Sequence, residues 1–223
     1  MTEKNAQDET NVAAQNENNV AAQSDTTSTT PAVEEKKVIM GAGDATGMFY
    51  HAVKGSEKPS SPSECTAEWL DSKGYKKVGD VGVDGVTPTY DRSTEKKKNW
   101  ANETVRVLVK EHTESLEIPA IETNLETAKT IFGESAVEKL TASANHGNGL
   151  DIHLDGSMPD AEAFILRMKD GNDRGVIYAK DATVTGVSIN ALTPGEGITW
   201  TATIEANSDG IHIMFDDGKT VQA

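Results

Sequence analysis

From about residue 45 onward the chain alternates apolar and polar residues with period two. In 104–110, Val105, Val107 and Val109 share one face, and Arg106 and Lys110 share the other. In 198–206 the alternation is complete, with Trp200 among the apolar positions and Glu205 among the polar ones. Such segments predict antiparallel strands with one dry and one wet face. Ile211, Ile213 and Phe215 repeat the pattern after Asn207-Ser208-Asp209-Gly210. The Asp-Gly step predicts a hairpin of 198–206 with 211–216. Further strands are predicted at 48–53, 116–121, 150–154, 163–169, 175–180 and 182–191. The turn Asp170–Asp173 predicts a second hairpin, between 163–169 and 175–180.

Two segments change period. Ser63 is placed to cap a helix over 64–73, with Gly74 as its stop. Asn124 is placed to cap another over 125–132, where Leu125, Ala128, Ile131 and Phe132 fall at helical spacing. Between them, 79–102 is polar and starts glycine-rich, so it reads as a long inter-strand loop. The fold class predicted is mainly β: an antiparallel β-sandwich or barrel with one flanking α-helix and a long loop.

Composition divides the chain near residue 38. Residues 1–37 contain no aromatic residue, Leu or Ile, and the pentapeptide 11–15 recurs at 19–23. A segment so poor in apolar surface cannot offset the entropy of ordering. It reads as a disordered acidic arm, and 38–223 as one folded domain. Net charge is −15, of which −4 lies on the arm and −11 on the remainder. That balance argues against general nucleic-acid binding, which depends on neutralising phosphates, and against docking on an anionic membrane. One cysteine, Cys65, excludes a disulfide framework. The first residues lack the basic start and apolar run of a standard secretory signal.

Chemistry is scarce. The histidines at 51, 112, 146, 153 and 212 show no ligand spacing. His153 and His212 fall on wet strand faces, and Cys65 falls in the first helix without a sequence-adjacent histidine. The Gly218-Lys219-Thr220 ending lacks the upstream glycine of a phosphate loop, since Ile213 holds that position. No catalytic, cofactor or metal residue is assigned, and no enzyme activity or cofactor is expected. Lys96, Lys97 and Lys98 suit pairing with acids of another chain better than nucleic acid, because this protein has acids in surplus.

One order of features carries a resemblance. Gly47-Met48-Phe49-Tyr50-His51-Ala52-Val53-Lys54-Gly55 precedes a Pro/Ser loop, a Trp-bearing helix and Gly74-Tyr75-Lys76-Lys77-Val78-Gly79. Asp84-Gly85-Val86-Thr87, a segment ending Lys98-Asn99-Trp100, and a long strand pair running into Glu122-Thr123-Asn124 follow. Gly175-Val176-Ile177-Tyr178-Ala179-Lys180-Asp181 then leads toward Trp200. Over roughly 45–216 this resembles the major tail (tail tube) proteins of long-tailed, non-contractile bacteriophages.

The resemblance implies a structural virion protein in the tail, assembled in the host cytoplasm. Its copies would form hexameric rings stacked into a tube around a tape-measure protein. Tail terminator and distal tail proteins would bound the tube, which would conduct genomic DNA to the host. No membrane partner is implied. The long loop would reach an adjacent ring, with Arg92, Lys96, Lys97, Lys98 and Trp100 as assembly residues. Asp151, Asp155, Asp181 and Glu205 are the candidates for an acidic lumen. Two alternatives remain open at this point: a β-sandwich binding module, adhesin or carbohydrate-binding, and an effector-delivery tube of a secretion system.

Overall fold

The computed structural model describes residues 41–45, 48–190 and 192–219. The predicted acidic arm, 1–37, lies outside the described residues, as do residues 46, 47 and 191.

The order of elements is β1 (Phe49–Val53), α1 (Ala67–Ser72), β2 (Lys76–Gly79), β3 (Thr87–Lys98), β4 (Thr104–Ala120) and α2 (Leu125–Phe132). A single 3-10 turn, Glu134–Ala136, leads to β5 (Val137–Leu140) and β6 (Gly149–Ile152). Then come β7 (Glu162–Asp170), β8 (Asp173–Ile189) and β9 (Trp200–Asp216). Seven strands form one sheet in the order β2-β1-β7-β8-β9-β4-β3, and β5 pairs with β6 in a small second sheet. Every named strand pairing is antiparallel. The large sheet rolls back on itself. Beyond β2, the Gly82 N–H donates to the Pro119 carbonyl at 2.7 Å and the Ile121 N–H donates to Asp80 at 3.1 Å, joining its edge to the end of β4. The predicted mainly β, sandwich-like class is what the chain adopts.

Period-two alternation builds two cores from the same strands. Phe49, Phe164, Leu166, Ile177, Ala179, Ile118 and Ile204 pack on one side, together with Ile131 of α2. Tyr50, Ala52, Ile165, Val176 and Tyr178 pack on the other, with Leu70 of α1, Tyr75 and Cys65. This is why β1, β7 and the first half of β8 are apolar almost throughout: both of their faces are covered.

Helix α2 starts and stops where predicted. Asn124 Oδ1 accepts from the Thr127 N–H at 2.8 Å, and Gly133 ends the helix at a φ of 93°. The Thr127 hydroxyl donates to the Val78 carbonyl at 2.7 Å, fixing the helix to β2. Helix α1 is shorter than predicted, and Thr66 caps it by accepting from the Trp69 N–H at 3.2 Å. Ser63 cannot act as the cap because its N–H and hydroxyl both donate to the Asp216 carboxylate, at 2.7 and 2.9 Å. Cys65 therefore precedes the helix rather than lying in it, and is 1% exposed.

Two further expectations are corrected. The span 79–102 is not mainly a loop, because Thr87–Lys98 is a strand paired along β4. The hairpin expected at Asp209-Gly210 is absent, because 200–206 and 211–216 both pair with β8. Asp209 and Gly210 do adopt the left-handed conformation that such a turn requires, with φ of 61° and 65°. They spend it on a bulge: between Ala206 and Ile211, β9 takes five steps while β8 takes three from Ala182 to Ala179. The predicted strands 175–180 and 182–191 are likewise one continuous strand within β8. The Asp170–Asp173 hairpin forms as expected, with Gly171 at a φ of 59°.

Candidate assembly surfaces

Strand β4 pairs with β9 only over Ser115–Ala120. Residues 104–114 pair with β3 alone, so the two strands leave the sheet as a two-stranded arm. At 3.3–3.4 Å per residue, 11 residues extend about 35 Å. Val105, Val107 and Val109 line one face of the arm and remain 63%, 55% and 53% exposed. At the apex, the Asn99 N–H donates to the Glu103 carbonyl and the Glu103 N–H returns to Asn99 Oδ1, both at 2.9 Å. Asn102 takes a φ of 64°, which asparagine tolerates better than most side chains. The turn leaves Trp100 fully exposed. A large exposed indole beside three exposed valines is the kind of apolar surface that marks a contact site.

All five residues singled out for assembly lie on this arm. Arg92 sits 5.0 Å from the Tyr90 ring and donates to its hydroxyl at 2.9 Å. Lys97 pairs with Glu95 at 2.6 Å, and Lys98 donates to Asn102 Oδ1 at 2.9 Å. Lys96 is exposed on β3, directly opposite Val107. Residues 92–110 carry a net charge of +4, which leaves −19 on the rest of the chain. The distal part of the arm is thus basic on an acidic protein, whereas Asp91, Glu111 and Glu114 at its root are acidic. Sequence reading found its residues but placed them on a loop.

The four acids singled out for a lumen separate in space. Asp181 is only 7% exposed. Its carboxylate pairs with Lys54 at 2.9 Å and accepts from Asn207 and Ser208 at 3.0 and 2.7 Å. Those bonds, led by the one from Lys54, lower its pKa to about 2. It fastens the β9 bulge to β8 and presents no carboxylate to solvent. Asp151, exposed on β6, and Asp155, just beyond it, lie on the side of the sheet that carries α2. Asp155 accepts from the Ser157 N–H and hydroxyl at 2.9 and 2.6 Å.

Glu205 lies on the opposite side. Ala202 and Ile204 point to the α2 core, so alternation turns Thr201, Thr203 and Glu205 the other way. In register with them stand Ser115, Glu117 and Pro119 on β4, and Thr183, Gly186 and Ser188 on β8. Thr185 donates to Glu205 at 3.1 Å. Three strands thus present a continuous face of Thr, Ser, Gly, Pro and Glu that contains no lysine or arginine. Apart from Pro119, which is buried, its side chains are half-buried or exposed, whereas those of β1 and β7 are mostly buried.

A model of the phage tail tube protein family matches residues 31–207. The chain belongs to that family. Comparison with curated proteins finds no match. Among solved structures, the chain is similar to one from the tail of an empty gene transfer agent particle, refined with C6 symmetry. Identity is 9%, with 77% of this chain and 98% of that one covered, at a TM-score of 0.39. It is also similar to one from the tube-terminating cap of the anti-feeding prophage. There identity is 8%, coverage is 82% and 98%, and the TM-score is 0.40. The assignment rests on the family match.

Within a tail tube protein, the exposed arm and the uncharged-to-acidic sheet face are surfaces a structural role can use. Glu117 was not singled out from sequence, although alternation alone places it on the face opposite Leu116 and Ile118. What was missing was the register that sets it beside Glu205. His51 centres a buried polar cluster that sequence did not foresee. It is 8% exposed, and its Nδ1 lies 2.8 Å from Glu162 while its Nε2 lies 3.5 Å from Glu126. The cluster links β1, β7 and α2. Among the described residues, no group of three or more His, Cys, Asp or Glu is arranged to hold a metal ion.

Proposed function

We propose that this protein builds the tail tube of a long-tailed, non-contractile phage as stacked hexameric rings, and that the tube conducts DNA. The arm reaches from one ring to the next, and the face containing Glu117 and Glu205 lines the channel. The observation that carries the reading is that three-stranded face of Thr, Ser and Glu without a cation. Each basic contact would hold a phosphate, and about one bound counterion is exchanged per phosphate neutralised. A wall of hydroxyls and sparse carboxylates repels the backbone weakly along its whole length and lets DNA pass.

Asp181 takes no part in that wall, being committed to Lys54, Asn207 and Ser208. Asp151 lies across the sheet from Glu205 and so faces elsewhere in the assembly. Rings grow around a tape-measure protein and end on terminator and distal tail proteins. Residues 1–37 are proposed to be an acidic arm apart from the folded domain 38–223. A glycan-binding module is disfavoured by its aromatics: of Tyr75, Tyr90 and Trp100, Tyr75 is buried and the other two lie on the arm.

The test is to replace both channel acids. Particles whose tails carry Glu117→Lys and Glu205→Lys should assemble at normal yield and deliver DNA several-fold more slowly. Unimpaired delivery from complete tails would move the channel to another face.

A further inference from the structure

Most exposed apolar side chains of the body are scattered, but one group converges. Leu154 and Met158 are 67% and 64% exposed, and Val187 and Ile189 are 37% and 43% exposed. All four line a single groove of about 300 Å³, floored by Phe132 of α2 and edged by Asp155. The groove forms because β7 stops pairing with β8 at Ala182, and β8 runs on to Ile189 with that flank open. The segment 153–158 crosses the gap without filling it. An apolar cavity of about 150 Å³ accepts a benzene ring, so this one has room for an indole.

We infer that the groove is the receptor for the arm of a second copy of this chain, with Trp100 seated between Met158 and Ile189. The inference rests on the proposed ring-to-ring role of the arm and names where it lands. Three observations select this occupant. Trp100 is a fully exposed aromatic at the apex of a protruding element, shaped to enter a concave site. The distal part of the arm, residues 92–110, carries +4 and the rest of the chain −19, so approach of an arm tip to another copy's body is attractive. Arm and groove also lie on separate elements of one chain, so each copy gives one arm and receives one. That head-to-tail arrangement extends indefinitely, as a stacked tube requires. On this assignment Asp155 belongs to the contact between copies, its remaining carboxylate oxygen facing an arm cation, and not to a channel wall.

The test is cross-linking of the full chain under oxidising conditions, with Trp100→Cys and Met158→Cys in the same molecule. Cys65 is buried and leaves the background clean. Assembled protein should give a ladder of reducible covalent oligomers on denaturing gels. Trp100→Cys paired instead with Val83→Cys, on the loop beside the other large apolar cavity, should give none. Trp100→Ala, which alters no packed residue, should raise the concentration needed for assembly about tenfold or more, as loss of an aromatic anchor does. Assembly without the 100–158 link, or a link at 83 instead, overturns this receptor and leaves the tube reading standing. A wild-type chain that never associates overturns both.

Discussion

At the scale of single residues, position and partners matter more than type. Asp181, Asp151 and Glu205 are all strand acids, and sequence reading gave them one role. The structure buries the first among Lys54, Asn207 and Ser208 and sets the other two on opposite sides of the sheet. Asp181 has a pH signature. Its ordinary value of 3.8 is lowered to about 2 in the fold, so the folded state favours the charged form. The stability it contributes is complete above its unfolded value and is lost as pH falls toward 2. Denaturant unfolding of wild type and Asp181→Asn should show a gap in stability that is constant near neutral pH and closes between about pH 4 and 2. A gap unchanged down to pH 2 would mean that the carboxylate's charge does not hold the bulge. Trp200 shows the same dependence on position. Alternation placed it on the dry face, where it does lie, its ring 5.5 Å from Phe132 and edge-on. As the first residue of β9 it is only half-buried, and its Nε1–H donates to the Thr123 hydroxyl at 3.0 Å.

At the scale of elements, what local pattern determines was legible and what pairing determines was not. Helix α2 was readable to the residue because its cap, apolar face and terminal glycine are all local. Strands β1, β6, β7 and β8 were visible in outline for the same reason. Strand β3 was not, because Thr87–Lys98 is polar on both faces and owes its form to hydrogen bonding with β4. The Asp209-Gly210 step misled for a related reason: it supplies two left-handed residues, and only the 17-residue length of β8 decides that they make a bulge.

Recasting 79–102 as a strand also changes how the arm should be tested. Removing 80–98 would strip residues 104–114 of β4 of their partner strand and cut the bonds that close the sheet at Gly82. Replacing 94–110 by Asn-Gly shortens the hairpin at a paired position and keeps its turn chemistry. The shortened protein should unfold at the same temperature as wild type, since none of residues 94–110 belongs to either core, and should fail to elongate in sedimentation. Normal elongation would remove the arm from assembly.

At the scale of the whole molecule, charge and apolar surface are distributed as a polymer subunit requires. In the proposed assembly the basic arm tip, the acidic body, the open groove beside α2 and the cation-free sheet face are each completed by other copies. The family match establishes a structural role in a phage tail tube. Net acidity, which at first only argued against nucleic-acid and membrane binding, becomes under the proposed channel role a reason for DNA to slide without sticking. The single buried cysteine leaves assembly to noncovalent surfaces. The most direct measurement is electron microscopy of the purified protein at rising concentration. Hollow tubes with six-fold end views are expected, with averaged density that places Glu117 and Glu205 on the inner wall. A strictly monomeric protein, or tubes whose channel is lined by another face, would contradict the proposed role.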